Sequence, residues 1–314
     1  MPAFASVAPE LATLVDDVPT QGEWLHEIKY DGYRIVAYKN GSDVRLASRN
    51  GKDWTTQFPE IARALSRLRA KTAVIDGEVA YVREDGRTDF QSLQNAMKSR
   101  AKDRIVYYVF DVVHLDGVDL SAQPLRARKE VLRALFAGEK APLHFGDHAT
   151  KDGRALFAEA CRAGLEGIMC KRADSPYRGG RGKDWVKVKC AKRQEAVVVG
   201  FTPPKGSRTG LGALLLAVHD DDGGYRYAGK VGTGFTQASL VDLRKRLGKI
   251  VADEPTVRDP PRMRDVTWVK PELVAQVRFS EWTRDGSMRH PSFEGLREDK
   301  PPARVVREIA SKRR

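Results

Sequence analysis

An α+β fold in two domains is what this sequence predicts, with strands and amphipathic helices up to about residue 190 and a small barrel of short strands beyond it. Three observations carry that expectation. The 314 residues exceed what one ordinary hydrophobic core serves. Up to residue 190, period-2 runs alternate with stretches of helical spacing; beyond it, short strands punctuated by glycine and proline follow one another, interrupted by a single helix. A content of 41% hydrophobic and 31% charged residues is that of a soluble globular chain, and no apolar run approaches the roughly 20 residues a membrane helix needs.

In Trp24 to Asp31 the residues Trp24, His26, Ile28 and Tyr30 fall on one side of a period-2 run, and Glu27, Lys29 and Asp31 on the other. This predicts a half-buried strand broken by Asp31-Gly32, with Lys29 where strand gives way to loop and a glycine that lets backbone approach a ligand. An amine at such a lip is placed to attack; taken alone, the stretch equally suits a surface lysine before a hairpin turn. Ile35 to Tyr38 and Val44 to Ala47 flank Asn40-Gly41, a hairpin signal, and Arg49 closes the second strand. From Thr55 to Leu68, Phe58, Ile61, Leu65 and Leu68 recur at helical spacing.

Ala73 to Tyr81 reads as a buried strand carrying Asp76 and Glu78, carboxylates that are costly there unless paired or metal-bound. A helix over Phe90 to Met97 leads into the apolar strand Ile105 to Val113, where Phe110 suits either core or a stacking platform. Pro124 to Phe136 predicts a basic amphipathic helix burying Leu125, Val131, Leu132 and Leu135; Ala155 to Ala163 predicts another, ended by Gly164. A strand over Glu166 to Arg172 opens on a carboxylate, and Asp184 to Cys190 puts Lys187 and Lys189 on one face, repelling unless an anion lies between them or water surrounds both. Beyond residue 190, strands over Glu195 to Phe201, Ala213 to His219, Tyr225 to Val231 and Val274 to Trp282, with a helix over Gln237 to Leu247, suit a small closed barrel of the OB type. The Ser311 to Arg314 tail is expected to be a solvated end.

A net charge of +13 and a pI near 9.7 point toward a polyanion, although abundant acidic residues require the positive charge to be local. Cys161, Cys170 and Cys190 form no Cys-x-x-Cys pair, so reduced thiols in a cytoplasmic protein are expected and a zinc site is not. The N-terminus lacks the basic start and apolar block of a secretory signal.

The chain resembles the nucleotidyltransferase superfamily, and most closely the ligase module of bacterial non-homologous end-joining, ATP-dependent DNA ligases. The residues that carry the likeness are Lys29-x-Asp31-Gly32-x-Arg34, Ser48-Arg49-Asn50-Gly51, Asp76-Gly77-Glu78, Phe110-Asp111, Glu166-Gly167, Lys187-Val188-Lys189, and Arg289 to Phe293 leading to Arg297-Glu298-Asp299-Lys300. Lys171 to Tyr177, Gly206-Ser207-Arg208 and Tyr227 to Phe235 match the same subgroup. The resemblance implies an adenylation domain of antiparallel sheets with flanking helices over residues 1–190 and an OB-fold domain over 191–314, hinged near residue 190.

It also implies the chemistry. Lys29 takes AMP from ATP, AMP passes to the 5′-phosphate of a nick, and the 3′-hydroxyl closes the strand. Arg34, Lys187, Lys189 and a divalent cation are expected to favour neutral Lys29, and Asp31 to help Glu166 hold that cation. Glu27 and Phe110 address adenine, Arg49 and Glu78 the ribose, Lys187 and Lys189 the α-phosphate, and Arg297, Asp299 and Lys300 the pyrophosphate. Glu78 and Glu166 hold Mg²⁺ or Mn²⁺. Partners implied are nicked or broken double-stranded DNA, a Ku-like end-binding protein and separate polymerase or phosphoesterase modules, around a monomer at the nucleoid. RNA ligase and mRNA-capping guanylyltransferase share the lysine box; a non-catalytic nucleic-acid-binding protein would not need this mixture of acid and base.

Overall fold

A computed structural model of the chain describes residues 7–97, 103–204, 206, 209–220 and 222–308. Ser207, Arg208 and the Ser311 to Arg314 tail lie outside them. The chain divides into two compact units, one ending at Cys190 and the other beginning at Ala191.

The first unit runs β1 (Glu10–Leu14), β2 (Trp24–Ile28), β3 (Gly32–Asn40), β4 (Asp43–Ser48), α1 (Pro59–Ser66), β5 (Thr72–Tyr81), α2 (Phe90–Met97), β6 (Ile105–Leu115), β7 (Val118–Asp119), α3 (Leu125–Leu135), β8 (Leu143–Phe145), α4 (Gly153–Arg162), β9 (Gly167–Arg172) and β10 (Gly180–Lys189). One sheet has the order β1-β10-β9-β2; the other has β4-β3-β5-β6-β7, with β8 also on β6. Pairing is antiparallel except for two parallel contacts, β1 with β10 and β6 with β8.

The period of 2 decides what each sheet face does. On one face of the first sheet, Trp24, Ile168, Cys170, Val186 and Val188 bury against Leu156, Phe157 and Ala160 of α4. The opposite face carries the register rows Leu25–Lys171–Trp185 and Glu27–Met169–Lys187. In the second sheet, Tyr33, Ile35, Ile75, Val79, Tyr107 and Val109 share a core with Ile61, Leu65, Phe90, Leu93 and Leu132 of the helices. Each fully buried Leu or Ile contributes about 1.5–3 kcal/mol. A third cluster, with Val36, Val74, Phe110, Tyr177 and Trp185, joins the two sheets.

Three expectations change here. The first helix starts at Pro59, not Thr55, because proline's fixed φ and missing N–H suit the first helical position while Phe58 ends the preceding turn. In α3 the fully buried positions are Leu125, Arg128, Lys129 and Leu132, so two cations join the buried stripe while Val131 and Leu135 pack half-buried against the core. The cysteines are not all reduced: Cys161 and Cys190 are joined by a disulfide, their Cα atoms 5.2 Å apart and so within bridging reach, while Cys170 is a buried free thiol.

The second unit runs β11 (Lys192–Phe201), β12 (Leu214–His219), β13 (Tyr225–Val231), α5 (Gln237–Leu247), β14 (Thr267–Phe279), β15 (Glu281–Trp282), β16 (Met288–Arg289), β17 (Ser292–Leu296) and a 3-10 turn at Pro302–Arg304. Its sheet has the order β13-β12-β11-β14-β17 around a core that includes Val197, Leu214, Leu216, Val231, Val277 and Leu243 of α5. Thr236 and Ser239 cap α5 reciprocally, each side-chain oxygen accepting the other's backbone N–H, at 3.1 and 2.9 Å. The architecture is OB-like, but the expected closure is not a full strand pair. Beside the edge strands β13 and β17, one bridge from Thr233 to Ser292 forms, with the Phe293 N–H donating to the Thr233 carbonyl at 2.9 Å.

Candidate active site

Lys29 follows β2 directly, and three tethers fix its loop. Its N–H donates to the Gly167 carbonyl at 3.0 Å, the ring of Tyr30 stacks on Tyr108 at 3.8 Å, and the Asp31 N–H donates to Thr88 Oγ1 at 3.0 Å. Gly32 then opens β3, and a Cβ there would stand 2.0 Å from the Val79 carbonyl oxygen. The glycine is demanded by the neighbouring strand, which corrects the expectation that it admits a ligand.

The ammonium of Lys29 lies 2.6 Å from Glu166 Oε2, with the two side chains 21% and 7% exposed. Burial alone would favour the neutral amine, but Glu166, Glu78 and Asp31 together outweigh it and raise the pKa above the ordinary lysine value. Lys29 is therefore held protonated in this state, contrary to the expectation of a neutral amine among cations. The groups that hold the proton on it are carboxylates.

Arg34 is engaged elsewhere. Its guanidinium grips Asp76 through Nε and Nη2, Asp76 also accepts the Tyr177 hydroxyl at 2.5 Å, and Nη2 reaches the Glu10 carbonyl at 3.3 Å. Burial opposes that charge, yet Asp76 more than restores it. The guanidinium carbon rests 4.5 Å from the centre of the Phe110 ring. Arg34 thus braces the second sheet beneath the site, which corrects its expected place as a cation beside Lys29.

Glu27, only 2% exposed, is clamped between two lysines, Lys129 Nζ at 2.9 Å and Lys171 Nζ at 2.6 Å. Burial would raise its pKa, but the lysines lower it below the usual carboxylate range. Lys129 also donates to the Gly146 carbonyl at 2.6 Å. Lys171 is pushed down to about 8, chiefly by burial. Its Nζ lies 4.0 Å from the ring centres of both Phe110 and Trp185. Phe110 is 7% exposed, so the ring expected to offer an open face to adenine is instead wedged among Arg34, Lys171 and Trp185.

The remaining expected residues are positioned by backbone. Lys187 stands opposite Met169, which stands opposite Glu27, while Lys189 stands opposite Gly167, whose carbonyl holds the Lys29 N–H. Glu78 lies opposite Arg34 on β5, and Arg49 sits in the turn after β4. In the second unit, Arg297 forms a two-bond pair with Asp299 at 2.8 and 2.7 Å, and Lys300 pairs with Glu195.

Residues 2–189 match the family model of the ATP dependent DNA ligase domain, and residues 207–300 that of the ATP dependent DNA ligase C terminal region. The chain belongs to the ATP-dependent DNA ligase family. The chain is 44% identical over 308 residues to the multifunctional non-homologous end joining protein LigD of Pseudomonas aeruginosa, a match covering 96% of this chain and 36% of that protein. It is 36% identical over 312 residues to LigD of Mycobacterium bovis, covering 97% and 40%. The chain therefore spans about two-fifths of the length of these relatives. A mycobacterial DNA ligase D, solved in complex with ATP and MES, superposes with a TM-score of 0.73 at 35% identity, covering 98% of this chain and all of that one.

Several residues that build the candidate site were given no role in it from the sequence. Arg128 and Asp111, both wholly buried, form a two-bond pair at 2.8 Å, and Arg128 also donates to the Ser175 carbonyl at 3.0 Å. Lys129, Lys171, Asp76, Tyr177 and Trp185 complete the supporting layer. The spacing 125, 128, 129, 132 is the i, i+3, i+4, i+7 pattern of one helix face, so α3 itself signalled that its two cations point inward.

Proposed function

We propose that the chain seals 5′-phosphate/3′-hydroxyl nicks in duplex DNA by way of a lysyl-AMP adduct on Lys29. The observation that carries the reading is the Lys29–Glu166 pair at the end of β2, in a chain of the ATP-dependent DNA ligase family. An amine tethered on both sides, 21% exposed and within reach of Glu166, Glu78 and Asp31, is a preorganised group whose proton the site controls.

Attack by Nζ on the α-phosphorus of ATP forms a P–N bond and releases pyrophosphate. The amine must first give up the proton that Glu166 holds on it. Glu78 and Glu166 supply the hard oxygen donors that suit Mg²⁺ or Mn²⁺. Among the described residues no group of three or more His, Cys, Asp or Glu side chains could hold a metal unaided, so phosphate oxygens would have to complete its shell. A bound cation would neutralise phosphate charge and draw the carboxylates away from Lys29, removing what raises its pKa.

Residues 1–190 act as the adenylation domain and 191–314 as the OB-fold domain, with Cys190 as the last residue before the joint. Lys187 and Lys189 grip the α-phosphate, and the same cations receive the 5′-phosphate of DNA. Arg49 and Glu78 address the ribose. Glu27 and Phe110 form buried walls near the base, with Arg34 bracing them. Arg297, Asp299 and Lys300 serve pyrophosphate release. The net charge of +13 supports a phosphate-directed, sequence-indifferent and salt-sensitive grip on DNA. End joining with a Ku-like partner, a monomeric state and a place at the cytoplasmic nucleoid belong to the same reading.

Incubation with α-labelled ATP and Mg²⁺ or Mn²⁺ tests it. The expected result is an acid-labile adduct, absent from Lys29→Ala, whose label chases onto nicked DNA before the strand is closed. A stable adduct that nicked DNA cannot discharge would assign the chain to another lysyl-nucleotidyl transfer, and no adduct at all would remove the reading.

A further inference from the structure

The Cys161–Cys190 bond sits where the first unit ends. Cys161 lies in the last turn of α4, and Cys190 directly follows β10, one residue before the second unit begins. Both cysteines are half-buried, so small reductants and oxidants can reach them. The third is different: Cys170 is wholly buried, 3.2 Å from the His26 ring on the α4 side of the first sheet. A thiol so enclosed has little access to exchange.

The face of the sheet that α4 covers is already packed, through Leu156, Phe157 and Ala160 against Ile168 and Val188. The disulfide therefore adds a cross-link to a unit whose core does not depend on it. What it holds is the strand end. The Cys190 N–H donates to the Glu166 carbonyl at 3.0 Å, and Glu166 is the partner of Lys29. A covalent tie between residues 29 apart in sequence thus terminates on the segment that carries the Lys29–Glu166 pair.

The two thiols differ in chemistry. Cys190 follows Lys189 at the end of β10, next to a cation of the kind that favours a thiolate. Cys161 sits at the negative end of the α4 dipole, which disfavours one. We propose that Cys161 and Cys190 are a reversible thiol–disulfide site that fixes the end of β10 when oxidised and releases it when reduced. This proposal does not depend on the ligase reading.

The redox partner is a low-molecular-weight thiol and its disulfide. In oxidation, the Cys190 thiolate attacks one sulfur of the partner disulfide, giving a mixed disulfide and one partner thiolate. The Cys161 thiolate then attacks the Cys190 sulfur, expelling the second partner thiolate. Overall two protein thiols become one disulfide and one partner disulfide becomes two thiols, so electrons and protons balance. In a reducing compartment such a bond is transient and senses redox state.

The test uses the whole chain equilibrated in oxidised or reduced glutathione, then denatured and alkylated. One thiol, that of Cys170, is expected to label in the oxidised sample, and all three in the reduced one. Limited trypsin digestion of the native samples gives the second readout, cleavage after Lys189 at the end of β10. Reduction should speed it on the order of tenfold, since cleavage tracks how often the segment opens. Cys161→Ser should cleave at the fast rate in both buffers, and Cys170→Ser should keep the difference. Three labelled thiols under oxidised glutathione, or cleavage rates that agree within about twofold in the two buffers, would overturn the proposal.

Discussion

Lys29 Nζ and Glu166 Oε2 stand 2.6 Å apart, so the amine proposed to attack ATP begins as half of an ion pair. Because Glu166, Glu78 and Asp31 raise its pKa against the opposing effect of burial, the folded state binds the proton more tightly than the unfolded chain does. The pair's contribution to stability is thus fully present below the unfolded lysine pKa and is lost only as pH climbs through the higher folded value.

The reactivity of Lys29 follows from that sign. Without ATP or metal, at about pH 9, Lys29 should acylate more slowly than exposed lysines. Glu166→Gln removes the largest raising influence, so labelling of Lys29 should rise. Peptide mass mapping after a short pulse of reagent reads this directly, and equal labelling of the two proteins would show that Glu166 does not govern the proton.

The Glu27 clamp carries a second expectation. Glu27→Gln leaves Lys129 and Lys171, each 1% exposed, facing one another without a carboxylate, and breaking such a buried pair costs about 3–5 kcal/mol. The denaturant midpoint should fall accordingly. Lys171, lowered to about 8 by burial above all, supplies a pH signature. Between that value and its unfolded pKa the folded chain has lost the proton and the unfolded chain keeps it, so this group makes stability rise with pH. Lys171→Met should remove that rise.

These clamps also mark where sequence reasoning reached its limit. Strand periodicity located Lys29 at the lip of β2 and placed Lys187 and Lys189 on one face, because alternation is a local property of the chain. Composition and punctuation separated the two units near residue 190 for the same reason. What stayed hidden was pairing between distant segments. Arg34 reads as a motif cation until Asp76 and Tyr177 are seen around it, and Phe110 reads as either core or platform until Lys171 is found over its ring. The disulfide was missed because no Cys-x-x-Cys spacing announces two cysteines brought together by α4 and β10.

Glu10 provides a third test, in the acid-to-neutral range. It is 2% exposed, and burial above all raises its pKa to about 7 even though the Arg178 N–H donates to Oε2 at 3.0 Å. A carboxyl with a raised folded pKa binds more protons folded than unfolded, so stability should fall as pH rises from the ordinary carboxylate value to about 7. Glu10→Gln should flatten that slope and stabilise the chain at pH 8, by at most about 3 kcal/mol. Thermal midpoints of both proteins across that pH range decide it; parallel curves would mean that Glu10 is ionised throughout.

The second unit should matter to one reaction step more than another. Arg297 is tied to Asp299, and Lys300 to Glu195, so these cations are held in fixed places rather than left to wander in solvent. If they serve the leaving pyrophosphate, Lys300→Ala should slow lysyl-AMP formation on the order of a hundredfold, the usual loss for one oriented donor to developing charge. Sealing of nicked DNA that already carries the 5′-adenylate involves no pyrophosphate and should change by less than about threefold, well below that loss. Both rates are measurable on one preparation, with the thermal midpoint as a check that loss of the Glu195 pair has not unfolded the second unit. An equal fall in both steps would instead place Lys300 at the adenylate group, because only a contact shared by the two reactions can slow them alike.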